Sequence, residues 1–158
     1  MNNKGVIFLK VVLLMMALMV AFVLGMLTLQ LFSGSLNPEV WSFAIPILTG
    51  FFVTSIPYFI ALFQGNKILT YMQSGRAFSR NTLAALKIIR NMAFLVSGVY
   101  ALLMPFFYRF AQADDAPGVI VMGAFPLFGA LIIAIFSWVL YQVLEEGVVL
   151  AEEAALIV

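Results

Sequence analysis

The chain contains no cysteine and no histidine. The first absence rules out disulfides, thiol nucleophiles and thiolate metal sites. The second removes the commonest general base and the commonest metal ligand together. Charge is scarce as well: only 9% of the 158 residues are Asp, Glu, Lys or Arg. A soluble domain carries roughly 25%, so water is not the main solvent of this chain. A net charge of +1 gives no electrostatic case for direct nucleic-acid binding. There is no glycine-rich phosphate loop, nucleophile elbow or HExxH helix. Carboxylates stand only at the ends of predicted helices. The expectation is a protein that is not an enzyme, with no catalytic, cofactor-binding or metal-ligating residue to assign.

What is present is hydrocarbon, at 65% hydrophobic residues with sixteen Phe and nine Met. Four runs lack any charge: 11–38, 40–66, 91–108 and 116–144. A helix needs about 20 apolar residues to cross a hydrocarbon core about 30 Å thick. The runs therefore predict an all-α membrane protein, a single integral membrane domain spanning 1–158. Its transmembrane helices fall at about 6–32, 40–64, 88–110 and 118–144, with a hairpin extension at 65–87 and an acidic tail at 145–158. The first run is too long for a cleaved signal peptide, and no small-x-small site follows it promptly. Lys10, near its start, can lay its stem along apolar surface and reach the headgroups.

Cations set orientation, because short loops rich in Lys and Arg stay cytoplasmic. With four spans, the N-terminus, the 65–87 hairpin and the C-terminus share a side. That side holds seven cations: Lys4, Lys10, Lys67, Arg76, Arg80, Lys87 and Arg90. The opposite side holds only Arg109. Both termini are therefore expected inside, in the bacterial inner membrane.

Residues 71–91, "YMQSGRAFSRNTLAALKIIRN", hold four of the eight cations and no acid. Helical spacing after Phe63 continues through Ile68, Leu69 and Met72 to "SG" at 74–75. Gly75 suits the left-handed position that ends a helix. Ser79 suits the cap of the next, with Phe78 and Leu83 spaced as a hydrophobic staple. Leu83, Leu86 and Ile89 then lead into the third span. The tail carries Glu145, Glu146, Glu152 and Glu153 and no cation. The seven-residue spacing of the two Glu pairs puts them on similar helical faces. Basic hairpin and acidic tail share one side: they pair with each other, stay solvated, or dock a partner. Arg76, Phe78, Arg80 and Lys87 with the four glutamates are the candidate partner-binding residues.

Pro46 and Pro57 lie eleven residues apart on nearly one face of the second span, and Thr49, Thr54 and Ser55 are placed to satisfy freed carbonyls. Ala21, Gly25, Gly123, Gly129, Ala130 and Ala134 permit close helix contact. In the outer loop "QADDAPGV", Asp114 or Asp115 is expected to cap the fourth helix. Pro117 would sit in its first turn, beside Gly118. The other reading of this loop is a small acidic site for a cation or cationic peptide, joined by Arg109 or Glu39.

Four marks, in order and spacing, resemble the bacterial domain-of-unknown-function family 2975: "FLK" at 8–10, "IPYFIALFQGNKILTYMQSGRAFS" at 56–79, "MPFFY" at 104–108 and "DDAPGVIVMG" at 114–123. The resemblance covers nearly the whole chain. It implies a small four-helix membrane protein without an assigned activity, often encoded beside a small helix-turn-helix regulator. Family members commonly end in an acidic stretch followed by Asn-Asp-Leu-Thr-Val. Here the end is "AEEAALIV", with the acids kept and the Asn, Asp and Thr absent. The leading functional expectation is a non-enzymatic protein that senses an envelope or membrane condition and acts on a cytoplasmic regulator. The alternative is a small transporter or channel subunit with a pore lined by Thr49, Thr54, Ser97 and Ser137. A closed, dry bundle with a protruding hairpin would favour the first.

Overall fold

A computed structural model describes residues 3–34, 38–75, 78–113 and 115–157. Arg76 and Asp114 lie outside the described residues. Among those described there are four helices: α1 (Asn3–Ser33), α2 (Pro38–Gln73), α3 (Arg80–Ala113) and α4 (Gly118–Ile157). Each is long and apolar enough to cross a membrane. All four exceed that need. The 40 residues of α4 extend about 60 Å at 1.5 Å per residue, about twice a hydrocarbon core. Glu145 to Glu153 thus ride on a helical extension of the fourth span, and α2 likewise continues to Gln73.

The turn between α2 and α3 follows local chemistry. Gly75 has φ 76° and closes α2, a conformation that costs a residue without Cβ little. Ser79 opens α3: its hydroxyl accepts the Thr82 N–H at 3.4 Å, and its carbonyl accepts the Leu83 N–H at 3.2 Å. The expected cap is therefore formed. At the other end of the molecule Asp115 takes a role different from the expected cap of α4. It has φ 47°, and the Ala116 N–H donates back to the Ala111 carbonyl at 2.9 Å. That six-to-one bond around a left-handed residue is a Schellman closure of α3. Helix α4 starts instead through the Val119 and Ile120 N–H groups, which donate to the Ala116 and Pro117 carbonyls.

Helix α3 is the centre of the fold. Its buried residues include Ala93, Ser97, Tyr100, Leu103, Phe107 and Ala111, spaced three or four apart along one stripe. Tyr100, Leu103 and Phe107 form the core, with Ile47 and Phe51 of α2 and Val119 and Leu127 of α4 packed around them. Two glycines receive these side chains. Leu103 occupies the space above Gly50 of α2, and the Phe107 ring lies where a Cβ on Gly123 of α4 would stand 2.7 Å from it. Backbones thus approach closely where a small residue faces a large one. The Ser97 hydroxyl adds a bond to the Leu127 carbonyl at 3.3 Å.

The four helices do not close into the expected bundle. They stand in a row, α1 on α2, α2 on α3, α3 on α4, and among the described residues no other pair of helices packs. The reason is the solvent: lipid tails are as apolar as Leu, so no hydrophobic force drives α1 onto α4. Gly25 and Gly129, two of the residues expected to permit close contact, have open space above them, whereas Gly123 and Ala134 are packed. Helix α1 meets α2 through apolar contact, Leu13 lying over Gly65, and through polar pegs. Lys10 Nζ donates to Thr70 Oγ1 at 3.3 Å and Gln73 Oε1 at 3.1 Å, and the Tyr58 hydroxyl donates to the Met16 carbonyl at 3.2 Å.

Candidate functional site

The row of helices brings the two charged segments to one end. Arg80 is the first residue of α3, and Glu152 lies near the end of α4. Arg80 Nε donates to Glu152 Oε1 and Nη2 to Oε2, both at 3.0 Å. This is a fork-to-fork pair, the arrangement that a planar guanidinium makes best. It is the one ion pair among the described residues. The hydrogen bond from Arg80 holds the Glu152 carboxyl below the usual carboxylate range, and the bond to Glu152 pushes Arg80 up. Both side chains stay open to water, at 60% and 51% relative exposure, so solvent and salt screen the attraction.

A hydrophobic contact accompanies the ion pair. The Phe78 ring lies above Gly147, 3.0 Å from where a Cβ would stand. The sequence pairs Phe78 with Leu83; the structure seats its ring on α4. Gly147 is the residue that sequence reasoning passed over. Its signal is a glycine inside a long helix, which costs about 1 kcal/mol relative to Ala without a packing reason. Further along the same interface the Arg90 guanidinium lies 5.7 Å from the centroid of the Tyr141 ring. Ser79, Arg80, Phe78, Gly147 and Glu152 together make a clasp between the α2–α3 turn and the α4 extension.

The four tail glutamates divide. Glu152 faces α3, and Glu145, one heptad earlier, adds to the field at Arg80. Val148 between them is buried. Glu146 and Glu153 face away from the clasp and, with Glu145, border an open face of α4 that carries Val149 and Leu150. Lys87 is exposed, and among the described residues it makes no ion pair. Of the eight candidate partner-binding residues, the structure thus joins Phe78, Arg80 and Glu152, with Glu145 near them.

The remaining candidates lie elsewhere. Asp115, Pro117 and Gly118 form the loop at the opposite end, and among the described residues no group of three or more acids is placed to hold a metal ion. The hydroxyls named for a pore do not share one path. Thr49 is exposed on α2, whereas Thr54, Ser97 and Ser137 are buried. The Thr54 hydroxyl donates to the Phe51 carbonyl at 3.1 Å, and Ser97 is bonded to α4.

The family described as "Protein of unknown function (DUF2975)" matches residues 32–158, which include α2, α3, α4 and both sides of the clasp. The Uncharacterized membrane protein YoaS of Bacillus subtilis (strain 168) is 35% identical over 155 residues, 97% of this chain and 97% of its own. No solved structure matches. The chain, a membrane protein with four apolar helices, belongs to the DUF2975 family.

Proposed function

We propose that this chain is a non-enzymatic protein of the bacterial inner membrane that responds to a membrane or envelope condition and passes it to a small cytoplasmic helix-turn-helix regulator. Both termini and the α2–α3 turn face the cytoplasm, as seven cations against one demand. The observation that carries the reading is the exposed fork between Arg80 and Glu152. It joins a turn between two spans to the extension of a third, so a shift of one span against another strains it. It is also weak enough to be exchanged. A partner needs only a modest difference in affinity between clasped and open states to shift such an equilibrium. Opening frees Arg80 and lifts Phe78 from Gly147. The regulator is the partner that the family resemblance implies. The row does not close into the dry bundle that would favour this reading, so the reading rests on the clasp; a pore finds no support in the placement of Thr49, Thr54, Ser97 and Ser137.

The test uses full-length protein in membrane vesicles and the purified product of a helix-turn-helix gene neighbouring its own. Glu152→Lys should change recruitment of the regulator to inside-out vesicles, and adding Arg80→Glu should return it to the wild-type level. Right-side-out vesicles should recruit none with any variant. Recruitment that ignores both reversals, or occurs on the outer face, contradicts the proposal.

A further inference from the structure

We infer that the groove between α1 and α4 is a binding site for the acyl chain of a bilayer phospholipid. The groove exists because the row of helices does not close. Its floor is α2 and α3, and its walls are Met19, Val20 and Val23 of α1 and Phe125, Gly129 and Ile133 of α4. Its volume is about 400 Å³, within the range of small-molecule sites. All four lining segments come from the middle of the uncharged runs, so the mouth opens into hydrocarbon and away from either surface.

The polar chemistry of the groove argues for an apolar occupant. Thr54, Ser55, Tyr58 and Tyr100 bring four hydroxyls to it. Thr54 and Ser55 donate to the Phe51 and Phe52 carbonyls. Tyr58 donates to the Met16 carbonyl, and Tyr100 lies 3.5 Å from the Thr54 hydroxyl. Among the described residues, no buried side-chain nitrogen or oxygen lacks a hydrogen-bond partner. A polar substrate would find each of these hydroxyls already hydrogen-bonded within the protein. What faces the space is mostly hydrocarbon, together with the bare Cα of Gly129, above which nothing stands within 4 Å.

Size separates a lipid chain from a second protein helix. From Phe51 to Tyr58 the groove runs seven residues along α2, about 10 Å at 1.5 Å per residue. Its 400 Å³ then gives a cross-section of about 40 Å², half the roughly 80 Å² of a helix about 10 Å across. Carbon atoms in contact sit about 4 Å apart, so an extended chain takes on the order of 15–20 Å². One chain, or two side by side, fit where a helix does not. The inference is independent of the clasp and of any regulator.

The test is photo-crosslinking of the full-length protein in phosphatidylethanolamine–phosphatidylglycerol vesicles. A phospholipid carrying a diazirine near the methyl end of one acyl chain is added at rising mole fraction. Adducts are mapped by mass spectrometry on the groove residues Val20 and Val96 and on Leu18 and Phe22, which lie on α1 outside the groove. Groove adducts should saturate at low mole fraction, while those on Leu18 and Phe22 rise in proportion. Gly129→Trp should abolish the first set and leave the second, and Gly129→Ala should keep both. Moving the diazirine to the headgroup end of the chain should remove the groove adducts. Groove adducts that rise in proportion, that are absent, or that survive Gly129→Trp overturn the inference. So does a crosslinked dimer through α1 and α4 in their place. Should Gly129→Trp fail to fold, saturation in the wild type decides the matter.

Discussion

Arg80 and Glu152 show how much one pair of side chains can do at the edge of a membrane. Neither charge is buried, so neither bears a large desolvation cost, and the two-pronged geometry supplies direction instead. The depressed Glu152 carboxyl gives the pair a pH signature. Its contribution is complete above the ordinary glutamate value of about 4.3 and disappears as pH falls through the lower value that Arg80 imposes. Carbon-13 titration of the Glu152 carboxyl should therefore show a midpoint below that of a free glutamate, and Arg80→Gln should raise it. A midpoint that ignores Arg80→Gln means that the pair does not persist. Ser79 and Gly75 were legible in the sequence because a cap and a left-handed closure depend on neighbours within four residues. Asp115 was less so: in the short loop between α3 and α4 an aspartate suits both the end of one helix and the cap of the next. The backbone chose the first. The pairing of Arg80 with Glu152 rather than another glutamate depends on the register of two long helices, which no local motif carries.

At the scale of elements, α3 organises the molecule by placing large side chains on the glycines of its neighbours. The two seats differ in compliance. Above Gly50 lies the flexible tip of Leu103, whereas Gly123 faces the rigid ring of Phe107 at 2.7 Å. Adding a methyl group should cost about 1–3 kcal/mol at Gly123 and less at Gly50, where Leu103 can change rotamer. Thermal unfolding in detergent should show Gly123→Ala less stable than Gly50→Ala, with Phe107→Leu recovering part of the Gly123→Ala loss. Equal effects would mean that the ring is not the obstacle. Helix number followed from the uncharged runs alone, and Gly123 stood out as a small residue on a span. Gly50 and its partner did not, because knob and seat are 53 positions apart (103 against 50) and meet only once α2 packs on α3.

Among the described residues, the molecule is a row of four helices, clasped at one end and open between its outer members. Hydrophobicity patterns say which segments enter a membrane, but lipid does not reward closure, so the order and openness of the row were not legible. The arrangement gives α1 the loosest attachment and α3 the tightest. Under the proposed function, the clasp between Arg80 and Glu152 would turn movement of α4 against α3 into a change on the cytoplasmic side. Its most direct test is a distance measurement between spin labels on single cysteines at Ser74 and Leu156, in a chain that has no cysteine of its own. In lipid at neutral pH the wild type should give a narrow distribution. Arg80→Glu and Glu152→Lys, each alone, should broaden it, and the two together should narrow it again. One distribution common to all four proteins, or a double reversal as broad as the single ones, would contradict the clasp.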